Sequence, residues 1–127
     1  IMTLKYDTSF GQLIVFDDPL NSQQIHQIIQ KCNVLVTSRF HVMVSGLTSL
    51  KPVLVLGWSH KYLEVMRMFR QEDMVLDHTQ AGVTLMNNMT NQLLKEQIKR
   101  SAEINHYLPE VRNSSKTQID YVNKLIQ

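Results

Sequence analysis

The sequence predicts an α/β domain: a Rossmann-like open, mostly parallel sheet flanked by helices. Three observations predict it. Four short apolar runs, residues 13–16, 34–36, 53–56 and 74–76, show no polar alternation, as expected of strands covered on both faces. The first three are each followed by a segment with apolar residues at helical spacing. Turn residues separate strand from helix at each step.

Taken in order, Leu13, Ile14, Val15 and Phe16 form the first run, and Asp17, Asp18 and Pro19 end it. A helix then starts near Asn21, which can cap it, with Gln24 completing a capping box. Ile25, Ile28, Ile29 and Cys32 share its apolar face, which makes Cys32 a buried helix residue. Val34, Leu35 and Val36 form the second strand. Thr37 and Ser38 lead into a helix over about residues 39–49, ended by Lys51 and Pro52. Gly46 lets that helix approach the sheet closely. Val53, Leu54, Val55 and Leu56 make the third strand, closed by Gly57. Ser59 can cap the next helix, whose Tyr62, Val65, Met66 and Phe69 lie on one face. Met74, Val75 and Leu76 form the fourth strand. One long helix is predicted over about residues 79–106, with Leu85, Met89 and Leu93 spaced by four, its start delayed by Gly82 and its end set by Pro109. A last helix is predicted over residues 115–127, with Ile119, Val122 and Ile126 on one face. Residues 1–127 thus read as one domain, with a core over about 11–78 and a helical tail over about 79–127. One or two long helices close the chain.

Composition narrows the function. At 127 residues, with 43% hydrophobic and 19% charged, the chain can bury a core and is not disordered. A net charge of +2 without a basic stripe gives no argument for nucleic acid. The single cysteine, Cys32, excludes an intramolecular disulfide and fits a cytoplasmic location. No apolar run approaches the ~20 residues of a membrane span, and the first residues do not read as a signal peptide. Ile1 before Met2 is expected to mark a cut within a longer protein. The seven methionines fit core filling. His26, His78 and His106 have no metal-site spacing, so no metal is expected.

In an open parallel sheet, ligands bind beyond the carboxyl ends of the strands. Those ends carry Asp17 and Asp18, then Thr37, Ser38 and Arg39, then Gly57, Trp58, Ser59, His60 and Lys61, then Asp77 and His78. Two of these loops run straight into helix starts, where free N–H groups favour an anion. Ser38 can cap its helix or donate its hydroxyl to an anion. Arg39 presents a planar fork suited to carboxylate or phosphate. His41 follows in the first turn as a proton-transfer group. His60 and Lys61 add two further cation candidates, and Trp58 is read as an edge residue able to wall a ligand. Against this stands the plain reading of each as a surface ion pair or a solvated helix end. Their shared position on strand-end loops lifts them above it.

The run Cys32, Asn33, Val34, Leu35, Val36, Thr37, Ser38, Arg39, Phe40, His41 resembles the polysaccharide pyruvyl transferase pattern. So does the run after Pro52, from Val53 through Gly57, Trp58, Ser59, His60 and Lys61 to Tyr62. The resemblance covers about residues 11–78. It implies the carboxy-terminal half of a GT-B-like enzyme that transfers an enolpyruvyl group from phosphoenolpyruvate to a sugar hydroxyl, forming a pyruvate ketal in exopolysaccharide or cell-wall glycan synthesis. By position it implies Ser38, Arg39, Phe40, His41, His60 and Lys61 as phosphoenolpyruvate-binding residues, with His41 catalytic. It implies no cofactor, and a glycan or lipid-linked sugar acceptor that brings the enzyme near a membrane surface. It further implies an amino-terminal half that forms the other cleft wall, without which these residues alone are poor catalysts. The face toward that half is expected to be partly apolar, which favours self-association into a homo-oligomer. Two other readings remain open: a nucleotide-sugar glycosyltransferase of GT-B type, for which Glu64 or Asp77 would grip the ribose, and a non-catalytic binding or assembly domain.

Overall fold

The computed structural model describes residues 14–114 and residues 120, 123, 124 and 126. Its elements run α1 (Ser22–Lys31), β1 (Leu35–Thr37), α2 (Phe40–Thr48), β2 (Val53–Gly57) and α3 (His60–Met68), then a short 3-10 turn (Glu72–Met74), β3 (Val75–Asp77), α4 (Val83–Lys95) and α5 (Gln97–Ser114). The described sheet is wholly parallel and ordered β1-β2-β3. Leu35 pairs with Val53, and Val55 pairs with Val75.

Burial explains the architecture. On β2, Val53, Leu54 and Val55 are each 1% exposed or less. Successive strand residues point to opposite faces, so both faces of the sheet are covered. Phe40, Met43, Val44 and Leu47 bury one stripe of α2, and Tyr62, Met66 and Phe69 bury one stripe of α3 and its end. Met43, Met66 and Met74 lie in this core, as expected of gap-filling side chains. Leu93, Ile104 and Leu108 bring α4 and α5 onto the same cluster.

Glycine and the helix ends set how closely these layers pack. A Cβ at Gly46 would stand 2.5 Å from Leu35 Cδ1 and 3.0 Å from Val53 Cγ2, so glycine permits the close seat of α2 on β1 and β2. Both α2 and α3 end in the same motif. Leu50 and Arg70 take left-handed φ of 64° and 58°. Lys51 N–H then returns to Gly46 C=O at 2.8 Å, and Gln71 N–H to Met66 C=O at 2.9 Å. These bonds satisfy helix-end carbonyls and turn the chain into the next strand. At the other end of the unit, the Asn21–Gln24 capping box of α1 forms as the sequence predicts.

Four expectations are corrected. The first apolar run is not a strand of the described sheet. Leu13 lies outside the described residues, Val15 holds a single bridge, and Ile14 and Phe16 are 50% and 42% exposed. The long tail helix is two helices, divided at Glu96. Pro109 does not end α5 but lies inside it. Its missing N–H frees the Asn105 carbonyl, and Asn105 is exposed, so water can satisfy that group. Cys32 is the half-buried C-cap of α1 rather than a buried helix residue. The start of α4 agrees with expectation, since Gly82 is its N-cap. Of the last predicted helix, only residues 120, 123, 124 and 126 are described, and they are helical. The rest of it lies outside the described residues.

Candidate functional site

Because the three strands run parallel, their carboxyl ends share one edge of the sheet. The loops to α2, to α3 and to Thr79 all leave from that edge.

At the first loop, Thr37 Oγ1 accepts the Arg39 N–H at 3.0 Å and tightens the turn. Arg39, extended at φ −100° and ψ 124°, then takes the N-cap position of α2. Ser38 is therefore one residue too early to cap the helix, contrary to expectation. Its carbonyl instead accepts the Tyr62 hydroxyl at 3.1 Å, which ties the first loop to α3. No side chain caps α2, and its first turn holds no acidic residue. Arg39 and His41 are both exposed.

Phe40 differs from its neighbours. It is 5% exposed and belongs to the core, so little of its side chain is open to a ligand. It acts from beneath. Its ring meets Tyr62 edge-on at 5.5 Å and His41 edge-on at 6.3 Å. Lys61 Nζ sits 4.7 Å from the centre of that same ring and 5.8 Å from the centre of Trp58. The ammonium is thus held by two aromatic rings beside the first residue of α2. Arg39 is the N-cap of α2 and Lys61 stands against the ring of its first residue, so both belong to a helix start where the dipole is already positive. Such a cluster lowers the energy of a bound anion.

The second helix start has the same bare character. Ser59 is the N-cap of α3, yet its side chain makes no capping bond, and the first turn holds no acidic residue. Ser59 Oγ is shut from solvent without a hydrogen-bond partner among the described residues. Beside it opens a cleft of about 570 Å³ lined by Trp58, Ser59, His60, Leu63, Asp77 and His78, among others. His60 therefore faces a different environment from Arg39 and His41, which do not line this cleft. Asp77 Oδ1 accepts the Thr79 N–H and the Thr79 hydroxyl, each at 2.9 Å. Those two bonds hold its carboxyl below the usual carboxylate range, and His78 Nδ1 lies 3.4 Å from the same oxygen. Among the described residues no His, Cys, Asp and Glu side chains cluster to hold a metal. Nor is any described helix long and apolar enough to cross a membrane.

The carboxylate of Asp77 and the exposed ring of Trp58 gain their significance from sharing this cleft. The sequence marks both as strand-end residues, but their meeting depends on β2 and β3 pairing as neighbours, with Gly57 opposite Asp77.

No curated protein and no solved structure matches the chain. Residues 8–60 match the family model of polysaccharide pyruvyl transferases. The matched segment spans α1, β1, α2 and β2, includes Ser38, Arg39 and His41, and stops one residue before Lys61. The likeness to polysaccharide pyruvyl transferases thus rests on residues 8–60, the part of the chain that carries the first strand-end loop.

Proposed function

We propose that this chain forms part of a polysaccharide pyruvyl transferase and holds phosphoenolpyruvate at the start of α2. One observation carries the reading: an uncapped helix start with no acid in its first turn has Arg39 as its N-cap and Lys61 against the ring of its first residue, within or next to the family match. Phosphoenolpyruvate carries a carboxylate and a phosphate. The Arg39 fork suits either group, and the free N–H groups of the first turn and Lys61 suit the other. Ser38 can add its hydroxyl. Phe40 contributes its backbone N–H and the ring that holds Lys61. His60, in the neighbouring cleft, falls on the acceptor side of this arrangement.

The chemistry needs two proton movements. A proton is added to the methylene carbon of the enol, making a methyl group. A sugar hydroxyl bonds to the central carbon and phosphate departs. A second hydroxyl of the same acceptor then closes the ketal. Of the two hydroxyl protons, one replaces that delivered to carbon and the other leaves with phosphate. His41, beside Arg39, is the group proposed to move one of them. An amino-terminal half, as the resemblance implies, would supply the facing wall.

Titration of the chain by amide NMR tests the donor site. Phosphoenolpyruvate should shift the amides of residues 39–42, and Arg39→Ala should weaken it about tenfold or more. His41→Ala should leave donor affinity nearly unchanged while lowering turnover of the natural gene product about 100-fold. Tighter binding of a UDP-sugar than of phosphoenolpyruvate would favour a glycosyltransferase instead.

A further inference from the structure

The carboxyl edge of the sheet is electrically divided. Around the start of α2 stand Arg39 and Lys61 without an acid in the first turn. Across β2, the cleft of about 570 Å³ has Asp77 as its carboxylate, and its lining includes no Arg or Lys. With one carboxylate and no lysine or arginine in its lining, the second suits a dianionic metabolite less well than the first. It better fits a neutral ligand that can use a carboxylate acceptor, imidazole nitrogens and an exposed aromatic face together.

Those three features define one ligand class. Trp58 is 63% exposed, and its ring is tilted 58° from Tyr62 at 5.9 Å, so one part of the indole packs while the rest faces outward. An exposed indole offers a flat, apolar surface with a negative face, which suits the C–H-lined face of a pyranose ring. Asp77 Oδ1 is occupied by Thr79, but Oδ2 has no protein partner among the described residues. A charged oxygen of that kind accepts strongly from hydroxyls. His60 and His78, in the same lining, can donate or accept with the remaining ring hydroxyls.

We propose that this cleft binds a neutral sugar ring stacked on Trp58, with Asp77 accepting from its hydroxyls, and that it is the acceptor subsite. The acceptor assignment rests on the donor reading above; the sugar site itself does not. Lys61 links the two regions, since its ammonium lies 4.7 Å from the centre of the Phe40 ring and 5.8 Å from that of Trp58. Donor and acceptor then meet across that side chain.

Trp58 is the only tryptophan in the chain, so its fluorescence reports on this cleft, and amide NMR separates a change there from one that reaches it through Lys61. The chain is titrated with methyl β-galactopyranoside, methyl β-glucopyranoside and methyl α-mannopyranoside. At least one should give a saturable change at millimolar concentration. Asp77→Asn, which keeps an oxygen for Thr79, should weaken that binding about tenfold. Trp58→Ala, followed by amide NMR at His60 and Asp77, should weaken it similarly. Arg39→Ala should leave it unchanged. The proposal is overturned if no pyranoside saturates, if uridine monophosphate binds there in preference, or if Asp77→Asn has no effect. A parallel phosphoenolpyruvate titration separates the two readings. Shifts at residues 39–42 without any pyranoside response sink the sugar site alone. The reverse pattern sinks the donor site and leaves the cleft a sugar site of another kind.

Discussion

At the scale of single residues, the proposed donor region depends on side chains buried behind it. Tyr62 is 2% exposed and sends its hydroxyl to the Ser38 carbonyl, the residue before Arg39. Tyr62→Phe keeps the ring and its edge-on contact with Phe40 but removes that bond. We expect a stability loss of about 1 kcal/mol in urea unfolding. We also expect phosphoenolpyruvate to bind a few-fold more weakly, because the Arg39 loop loses its tether. An unchanged donor affinity alongside the stability loss would show that the tether serves folding alone. Phe40 illustrates what the motif hides. Ser-Arg-aromatic-His reads as a contiguous ligand-binding run. The spacing of Phe40, Met43, Val44 and Leu47 is nevertheless the spacing of a buried stripe, and the core claims the ring. Arg39 and His41, on either side, remain exposed.

At the scale of elements, the βα units were legible wherever packing and local signals agreed. The apolar β2 run, the capping box of α1 and the buried stripes of α2 and α3 all follow from spacing and cap chemistry. What was hidden has physical causes. Both α2 and α3 stop through left-handed Leu50 and Arg70, where no glycine announces the turn. Pro109 is tolerated because the carbonyl it orphans lies on an exposed turn. The cleft beside Trp58 needed the order β1-β2-β3, which no local pattern encodes. Gly46 offers a test at this scale. Alanine there gains about 1 kcal/mol of helix propensity, yet its Cβ would meet Leu35 Cδ1 at 2.5 Å and Val53 Cγ2 at 3.0 Å. Overpacking of this kind costs about 1–3 kcal/mol, so Gly46→Ala should be destabilising by about 1 kcal/mol. Leu35→Ala should relieve the clash. In a double-mutant cycle the pair should be less damaging than the sum of the single changes by about 1 kcal/mol. Strict additivity would mean that α2 shifts as a body instead.

At the scale of the whole molecule, one buried guanidinium fastens the carboxy-terminal helices to the turn that leads into β3. Arg100 of α5 is 5% exposed. It donates from Nη1 and Nη2 to the two oxygens of Asp73 at 3.0 and 2.6 Å, and from Nε to Glu96 at 2.8 Å. Nη1 also bonds Gln71 Oε1 at 2.8 Å, and Gln71 is 1% exposed. The i,i+4 spacing of Glu96 and Arg100 suggests only a surface pair, so the sequence conceals this joint. Removing the guanidinium strands a buried amide oxygen and unpairs two carboxylates. Arg100→Ala should cost about 3 kcal/mol. That corresponds to a fall in Tm of roughly 10 °C for a domain of this size. The joint also sets an acid limit. Hydrogen bonds from Arg100 hold Asp73 below the usual carboxylate range, outweighing the opposing effect of its burial. A carboxyl depressed in the folded state stabilises fully above its unfolded value and loses that contribution as pH falls through the folded one. The loss therefore lies below about pH 4. Asp73→Asn should lower Tm at neutral pH and flatten its decline below that point. Asp77, exposed and held only by its own turn, should leave the acid limb nearly unchanged when converted to Asn. Equal flattening by both substitutions would mean that the Arg100 joint is not what acid releases.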